Sequence, residues 1–105
     1  MPPSINVAQL KMLIKENPNL VILDVRSEGE VKEGRIPKSQ WLDVYDREFM
    51  AKIIALPKDK TYCLYCASGG RSSMVVPFMA ENGFAQVCDL EGGIMEWLSE
   101  GNPVE

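Results

Sequence analysis

The chain contains no histidine and only three cysteines. The first absence excludes an imidazole general base and any histidine-based metal site. The second, an odd count, excludes an all-paired disulfide framework and fits free thiols in a reducing compartment. No apolar run approaches the roughly 20 residues that cross a bilayer, so no membrane partner is expected. Basic residues are in the minority, 11 against 15 acidic ones, for a net charge of −4, which argues against a nucleic-acid partner. The opening Met1-Pro2-Pro3-Ser4 has neither the basic nor the apolar region of a secretory leader, and a cytoplasmic location is the expectation. No repeat, low-complexity tract or linker interrupts the 105 residues. One domain over residues 1–105 is expected, with enough apolar residues for a single core.

What is present is a regular alternation. Val7 to Glu16 has helical apolar spacing, with Ser4 or Asn6 as N-cap and Pro18 beyond its end. Leu20 to Leu23 is a short continuous apolar run, the mark of a strand buried on both faces. One or two helical turns follow from Ser27 to Lys32, then a weaker strand over Trp41 to Val44 and a helix from Asp46 to Leu56. Thr61 to Tyr65 is a β-prone apolar run and reads as a strand. Ser72 to Asn82 reads as a helix stopped by Gly83, with a mild kink expected at Pro77. Gln86 to Leu90 closes the series as a strand, and Ile94 to Ser99 as a short helix. Strands separated by helices predict an α/β fold: a small parallel sheet of about five strands with helices on both faces, a three-layer sandwich.

The chemistry concentrates in Cys66-Ala67-Ser68-Gly69-Gly70-Arg71-Ser72. A strand, a glycine-rich turn and a helix in that order aim several backbone N–H groups at one point, at the positive end of a helix dipole. The anion best placed to occupy that nest is the thiolate of Cys66. An unperturbed thiol is only a few per cent ionised at neutral pH, and no imidazole is there to take its proton. The remaining levers are the converging amides, the dipole, the guanidinium of Arg71 and the hydroxyls of Ser68 and Ser72. Gly69 and Gly70 let the backbone turn inward.

Four segments in order are similar to a single rhodanese domain, the thiosulfate sulfurtransferase family. Leu23-Asp24-Val25-Arg26 followed by Glu30 resembles the family's first signature, and Gly34-Arg35-Ile36-Pro37 its glycine-histidine-isoleucine-proline stretch. Cys66 to Ser72 resembles its active-site loop, and Gly92-Gly93 with Trp97 and Gly101 to Glu105 its C-terminal motif. The resemblance covers about Ile5 to Glu105. It implies a persulfide formed on Cys66, held by the loop Ala67, Ser68, Gly69, Gly70, Arg71 and Ser72, with Asp24, Arg26 and Glu30 as supporting polar contacts. The sequence carries no sign of a metal, nucleotide or other organic cofactor, and none is expected. The expected partners are a small sulfur-containing anion, thiosulfate or a persulfide, and a thiol or protein acceptor; a monomer is expected. The chain departs from the pattern at Ala67, where active members often carry arginine or another polar residue, and at Arg35 and Lys38, which replace histidine and glycine. Arg35 is expected to offset the charge missing at position 67 if it lies near the pocket.

Other readings compete. Cys63 and Cys66 form a Cys-x-x-Cys, which suggests a redox pair, but Cys63 lies within an apolar strand and is expected to pack, as is Cys88. Three scattered cysteines make no zinc site. Asp24 beside Arg26 reads as half of a structural ion pair rather than a general acid or base. Glu28, Glu30 and Glu33 read as a solvated face, and Arg71 is divided between fixing the loop and holding substrate. The enzyme rival is a phosphatase or arsenate reductase of related fold; the cell-cycle dual-specificity phosphatases have five residues between cysteine and arginine, and here there are four, Ala67 to Gly70, which suits a sulfur atom better than a tetrahedral phosphate. A non-catalytic or sulfur-carrier binding module is the alternative outside enzymes.

Overall fold

The computed structural model describes residues 1–105. One five-stranded sheet, parallel throughout, organises the chain. In chain order the elements are β1 (Ser4–Ile5), α1 (Val7–Glu16), β2 (Leu20–Asp24), α2 (Glu28–Lys32), β3 (Gln40–Trp41), α3 (Phe49–Ile54), β4 (Thr61–Tyr65), α4 (Gly70–Glu81), β5 (Gln86–Leu90) and α5 (Gly93–Ser99). The strand order across the sheet is β1-β5-β4-β2-β3. β4, which leads to Cys66, therefore lies at the centre, and all five of its residues are buried.

The continuous apolar runs serve two faces because successive side chains point to opposite sides of a strand. Val21, Leu23, Tyr62, Leu64 and Val87 pack under Phe49 and Ile53 of α3 and Val75, Val76 and Met79 of α4. Ile22, Cys63, Tyr65, Cys88 and Leu90 pack under Val7 and Leu10 of α1 and Ile94 and Trp97 of α5. The three expected layers are present. Leu64 has no exposed surface, so its truncation to alanine would cost about 3 kcal/mol. No helix is long and apolar enough to cross a membrane.

Several boundaries differ from the sequence reading for local reasons. Asn6, not Ser4, caps α1: its side chain accepts from the Gln9 N–H, and Gln9 returns the bond. Ser4 instead begins β1, in register with Asp89. The Asp46 to Leu56 helix starts only at Phe49, because the Asp46 carboxylate accepts from the Glu48 N–H at 2.8 Å and holds that stretch as a turn. The strand expected over Trp41 to Val44 is the two residues Gln40–Trp41, after which single bonds from the Leu42 and Val44 N–H groups reach Asp24 and Val25. The helix expected from Ser72 starts two residues earlier, at Gly70, and runs through Pro77 to Glu81.

Candidate functional site

The site is built where β4 ends. Cys66 is buried, with 1 % of its surface exposed, and its neighbours arch over it. The Gly69 N–H donates to Sγ at 3.1 Å, and the Ser72 hydroxyl lies 3.6 Å from the same sulfur. The early start of α4 matters here, because residues in the first turn of a helix have N–H groups with no partner inside it. Burial pushes the Cys66 thiol up. The backbone and hydroxyl of Ser72, then the N–H groups of Gly69 and Arg71, outweigh that effect, and the net pKa lies below the ordinary thiol value.

Gly69 takes φ +114, a conformation that only glycine adopts at little cost. Gly70 has no such requirement and has open space where a Cβ would stand. Of the two hydroxyls expected to face the sulfur only one does: Ser72 is fully buried beside Cys66, whereas Ser68 is exposed and makes no bond to the sulfur. The side chain of Ala67 adds no donor, but its carbonyl anchors the loop. The carbonyls of Cys66 and Ala67 accept from the N–H groups of Ile94 and Met95 at 3.0 and 3.1 Å. Gly92-Gly93 lets the start of α5 come this close, since a Cβ on Gly93 would stand 2.4 Å from the Ala67 oxygen. The C-terminal glycine pair is thus a part of the loop's support.

Arg71 and Glu30 settle each other's roles. The guanidinium donates two bonds of 2.8 Å, one to each oxygen of Glu30, and Glu30 also accepts from the N–H and hydroxyl of Ser27. Arg71 holds the Glu30 carboxyl down at about 2. Glu30 is therefore not part of a solvated acidic face, and Arg71 is tied to α2 rather than left free.

Asp24 and Arg26 form a separate cluster. Arg26 has 5 % exposure and Asp24 none. The guanidinium grips the carboxylate through Nε and Nη, and also reaches the Gly34 carbonyl at 2.7 Å. Tyr65 donates its hydroxyl to Asp24 at 2.6 Å and accepts from the Ile36 N–H. Every strong group is paired, as a buried ion pair requires. Asp24 is committed to this buried ion pair, whereas Glu30 bonds Arg71 of the Cys66 loop and takes no part in the cluster. Arg35 does not supply the missing charge at position 67: its guanidinium bonds the side chain and carbonyl of Ser39.

The Cys-x-x-Cys is not a redox pair, because Cys63 packs on the α1 and α5 side of the sheet while Cys66 belongs to the α3 and α4 side. Cys63 and Cys88 are register partners on adjacent strands with no exposed surface. One neighbour escaped the sequence reading. Asp89 is buried at the end of β5, about where a side chain on Gly69 would meet it, with a carboxyl raised by burial against a weaker opposing bond from Ser4.

The sulfur is recessed beneath backbone amides of the loop, and comparison with known proteins identifies the family. The model of the rhodanese-like domain matches residues 6–100. The chain belongs to the rhodanese-like domain family. YtwF of Bacillus subtilis, a provisionally named sulfurtransferase, is 39% identical over 99 residues, covering 94% of this chain and 93% of its own. A protein of Allochromatium vinosum named sulfurtransferase is 27% identical over 104 residues, 99% of this chain and 95% of its own. Among solved structures, the rhodanese-related protein of Thermoplasma volcanium superposes with a TM-score of 0.87 at 38% identity, covering 99% of this chain and 98% of that one. The rhodanese-like fold thus extends over the whole sheet and both helical layers.

Proposed function

We propose that this chain is a sulfurtransferase that works through a persulfide on Cys66. The observation that carries the reading is the cradle itself: a buried sulfur with a 3.1 Å N–H bond from Gly69 and a pKa held below the ordinary thiol value. In the first half-reaction the Cys66 thiolate attacks the outer sulfur of thiosulfate or a persulfide donor. A new S–S bond forms, the donor's S–S bond breaks, and sulfite or a thiolate leaves with the electron pair. The terminal sulfur of the persulfide then lies among the amides that held the thiolate. In the second half-reaction a thiophilic acceptor, cyanide in an assay and a thiol or protein in the cell, attacks that terminal sulfur and returns Cys66 to the thiolate.

The burial of Cys66 supports a slim, end-on donor over a phosphate ester. A phosphoryl group needs a wider ring of donors, and four residues separate Cys66 from Arg71. Because Glu30 already engages both arms of Arg71, charge for the donor comes mainly from the amides, and a singly charged persulfide is favoured over dianionic thiosulfate. Intact mass after brief treatment with thiosulfate or a glutathione persulfide, on wild type and Cys66→Ser, tests the reading. One added sulfur on wild type alone, discharged by cyanide with release of thiocyanate, is the expected result. No uptake from either donor would refute it and leave a binding module; hydrolysis of a phosphate ester by wild type alone would favour the phosphatase reading.

A further inference from the structure

A second concave site lies on the other side of the sheet. A cavity of about 510 Å³ opens between the end of α1, the segment Ile36 to Lys38 and the start of the C-terminal segment. Its volume falls in the range of small-molecule sites. Ile14 and Pro37 present apolar surface over a floor formed by half-buried Leu20 and the buried Ile22, Ile36 and Trp97. The floor residues belong to, or pack against, the cluster under α1 and α5, whereas Cys66 belongs to the opposite cluster. The cavity is therefore not an extension of the Cys66 loop.

Three lysines, Lys11, Lys15 and Lys38, line it. None of their ammonium groups makes an ion pair, although the chain carries a net charge of −4. The other polar groups are already committed. The Asn17 amide donates to Thr61, the Asn102 amide to the Trp97 carbonyl, and the Trp97 indole to Pro103. The Trp97 indole is fully used and each amide already holds one partner, so the strongest unpaired groups are the three ammonium groups. What remains is apolar contact and positive charge.

Lys38 adds an independent observation. It is the only non-glycine residue with positive φ, at +65. That conformation is unfavourable for a lysine and nearly free for glycine. Its N–H is held by the Glu105 carboxylate, a bond that glycine would make equally well. The strain therefore gains nothing for the backbone, and what it does place is an ammonium group beside the apolar floor.

We propose that this cavity binds an organic anion with an aliphatic body and a single anionic head, the body on Ile14, Leu20 and Pro37 and the head among the three lysines. Octanoate is the probe, and octylammonium, of the same chain length and opposite charge, is the control. Titration into the isotope-labelled protein should give saturable amide shifts for octanoate at the residues of this cavity. The shifts should not extend to Cys66 to Ser72, and octylammonium should give none that saturate. Lys11→Gln/Lys15→Gln, at exposed helix positions, should weaken octanoate by about fivefold. Lys38→Gly should weaken it by about threefold while melting at or above the wild-type temperature. Saturable binding of octylammonium as tight as that of octanoate, no saturable octanoate shift, or unchanged octanoate affinity in both variants would each overturn the proposal.

Discussion

Glu30 and Arg71, 41 residues apart in the chain, meet through two bonds of 2.8 Å that join α2 to the Cys66 loop. The pair fixes the guanidinium and at the same time neutralises it. Glu30→Gln keeps the shape and removes the charge, so two consequences of opposite sense follow. Stability should fall by about 1 kcal/mol, because the pair is part-exposed and screened by solvent. The pH midpoint for alkylation of Cys66 by iodoacetamide should move lower, because the unneutralised Arg71 favours the thiolate. Urea unfolding and alkylation rates against pH check the two together; a midpoint that moves up would mean that the arginine acts only as a brace.

The same carboxylate defines a pH window. Its pKa in the fold is about 2 against an ordinary value of 4.5. A depressed carboxylate contributes stability that is fully present above its unfolded pKa and is lost as pH falls through the folded one. The stability difference between wild type and Glu30→Gln should therefore hold from neutral pH to about 5, shrink below about 4.5 and vanish near 2. Urea midpoints for both proteins over that range measure it.

Ser72 acts on the sulfur through both its backbone and its hydroxyl. The hydroxyl's single proton turns to the sulfur when Cys66 is a thiolate and to the Gly69 carbonyl, 3.3 Å away, when the thiol is neutral. Ser72→Ala keeps the backbone contribution and loses the other. The alkylation midpoint should rise, and sulfur uptake at neutral pH should slow severalfold, on the order of 1 kcal/mol of lost stabilisation. Mass spectrometry after timed donor exposure gives the rate. Cys63 and Cys88, paired in register inside the sheet beneath α1 and α5 and away from the Cys66 loop, should stay unmodified in every protein, so one adduct per chain is the internal control.

The Cys66 loop was legible in sequence because its chemistry is local: an apolar strand, two glycines and a helix in immediate succession. The layers were legible too, since five-residue runs buried on both faces leave no alternation to misread. What was hidden lay across sequence distance or within very short elements. β1 is two residues long and has no period of its own; it exists because its backbone pairs with β5. The partner of Arg71 could not be read from a glutamate flanked by other acids, and neither could Arg35's bonds to Ser39 or the exposure of Ser68. The approach of Gly93 to the loop is a tertiary contact, visible in sequence only as a motif without a reason.

Tyr65 separates support from chemistry. Its side chain faces the α1 and α5 layer, away from the side on which Cys66 packs, and its hydroxyl serves both Asp24 and the Ile36 N–H. Tyr65→Phe leaves that N–H without its acceptor and removes one donor from a buried carboxylate. The cost should be about 2 kcal/mol of stability, with sulfur uptake by the folded protein within twofold of wild type. A loss of uptake larger than the loss of folded protein would assign the Asp24 cluster a role in the reaction.

Two glycines of the site should respond oppositely to the same added methyl group. Gly70 has no heavy atom within 4 Å of the place a Cβ would take and has no positive φ. Gly70→Ala should raise stability by about 0.5 kcal/mol through the unfolded chain and leave sulfur uptake intact. Gly93 has φ +59, and its Cβ would stand 2.4 Å from the Ala67 oxygen and 2.5 Å from that of Cys66. Those are the two carbonyls that α5 anchors through the Ile94 and Met95 N–H groups. They are backbone atoms and cannot rotate aside, so Gly93→Ala must push α5 and the loop apart. It should cost about 3 kcal/mol and raise the alkylation midpoint of Cys66, because the amides around the sulfur lose their alignment. Melting temperature and the pH profile of alkylation test both effects. An unchanged profile in a destabilised protein would show that the loop holds its shape without α5.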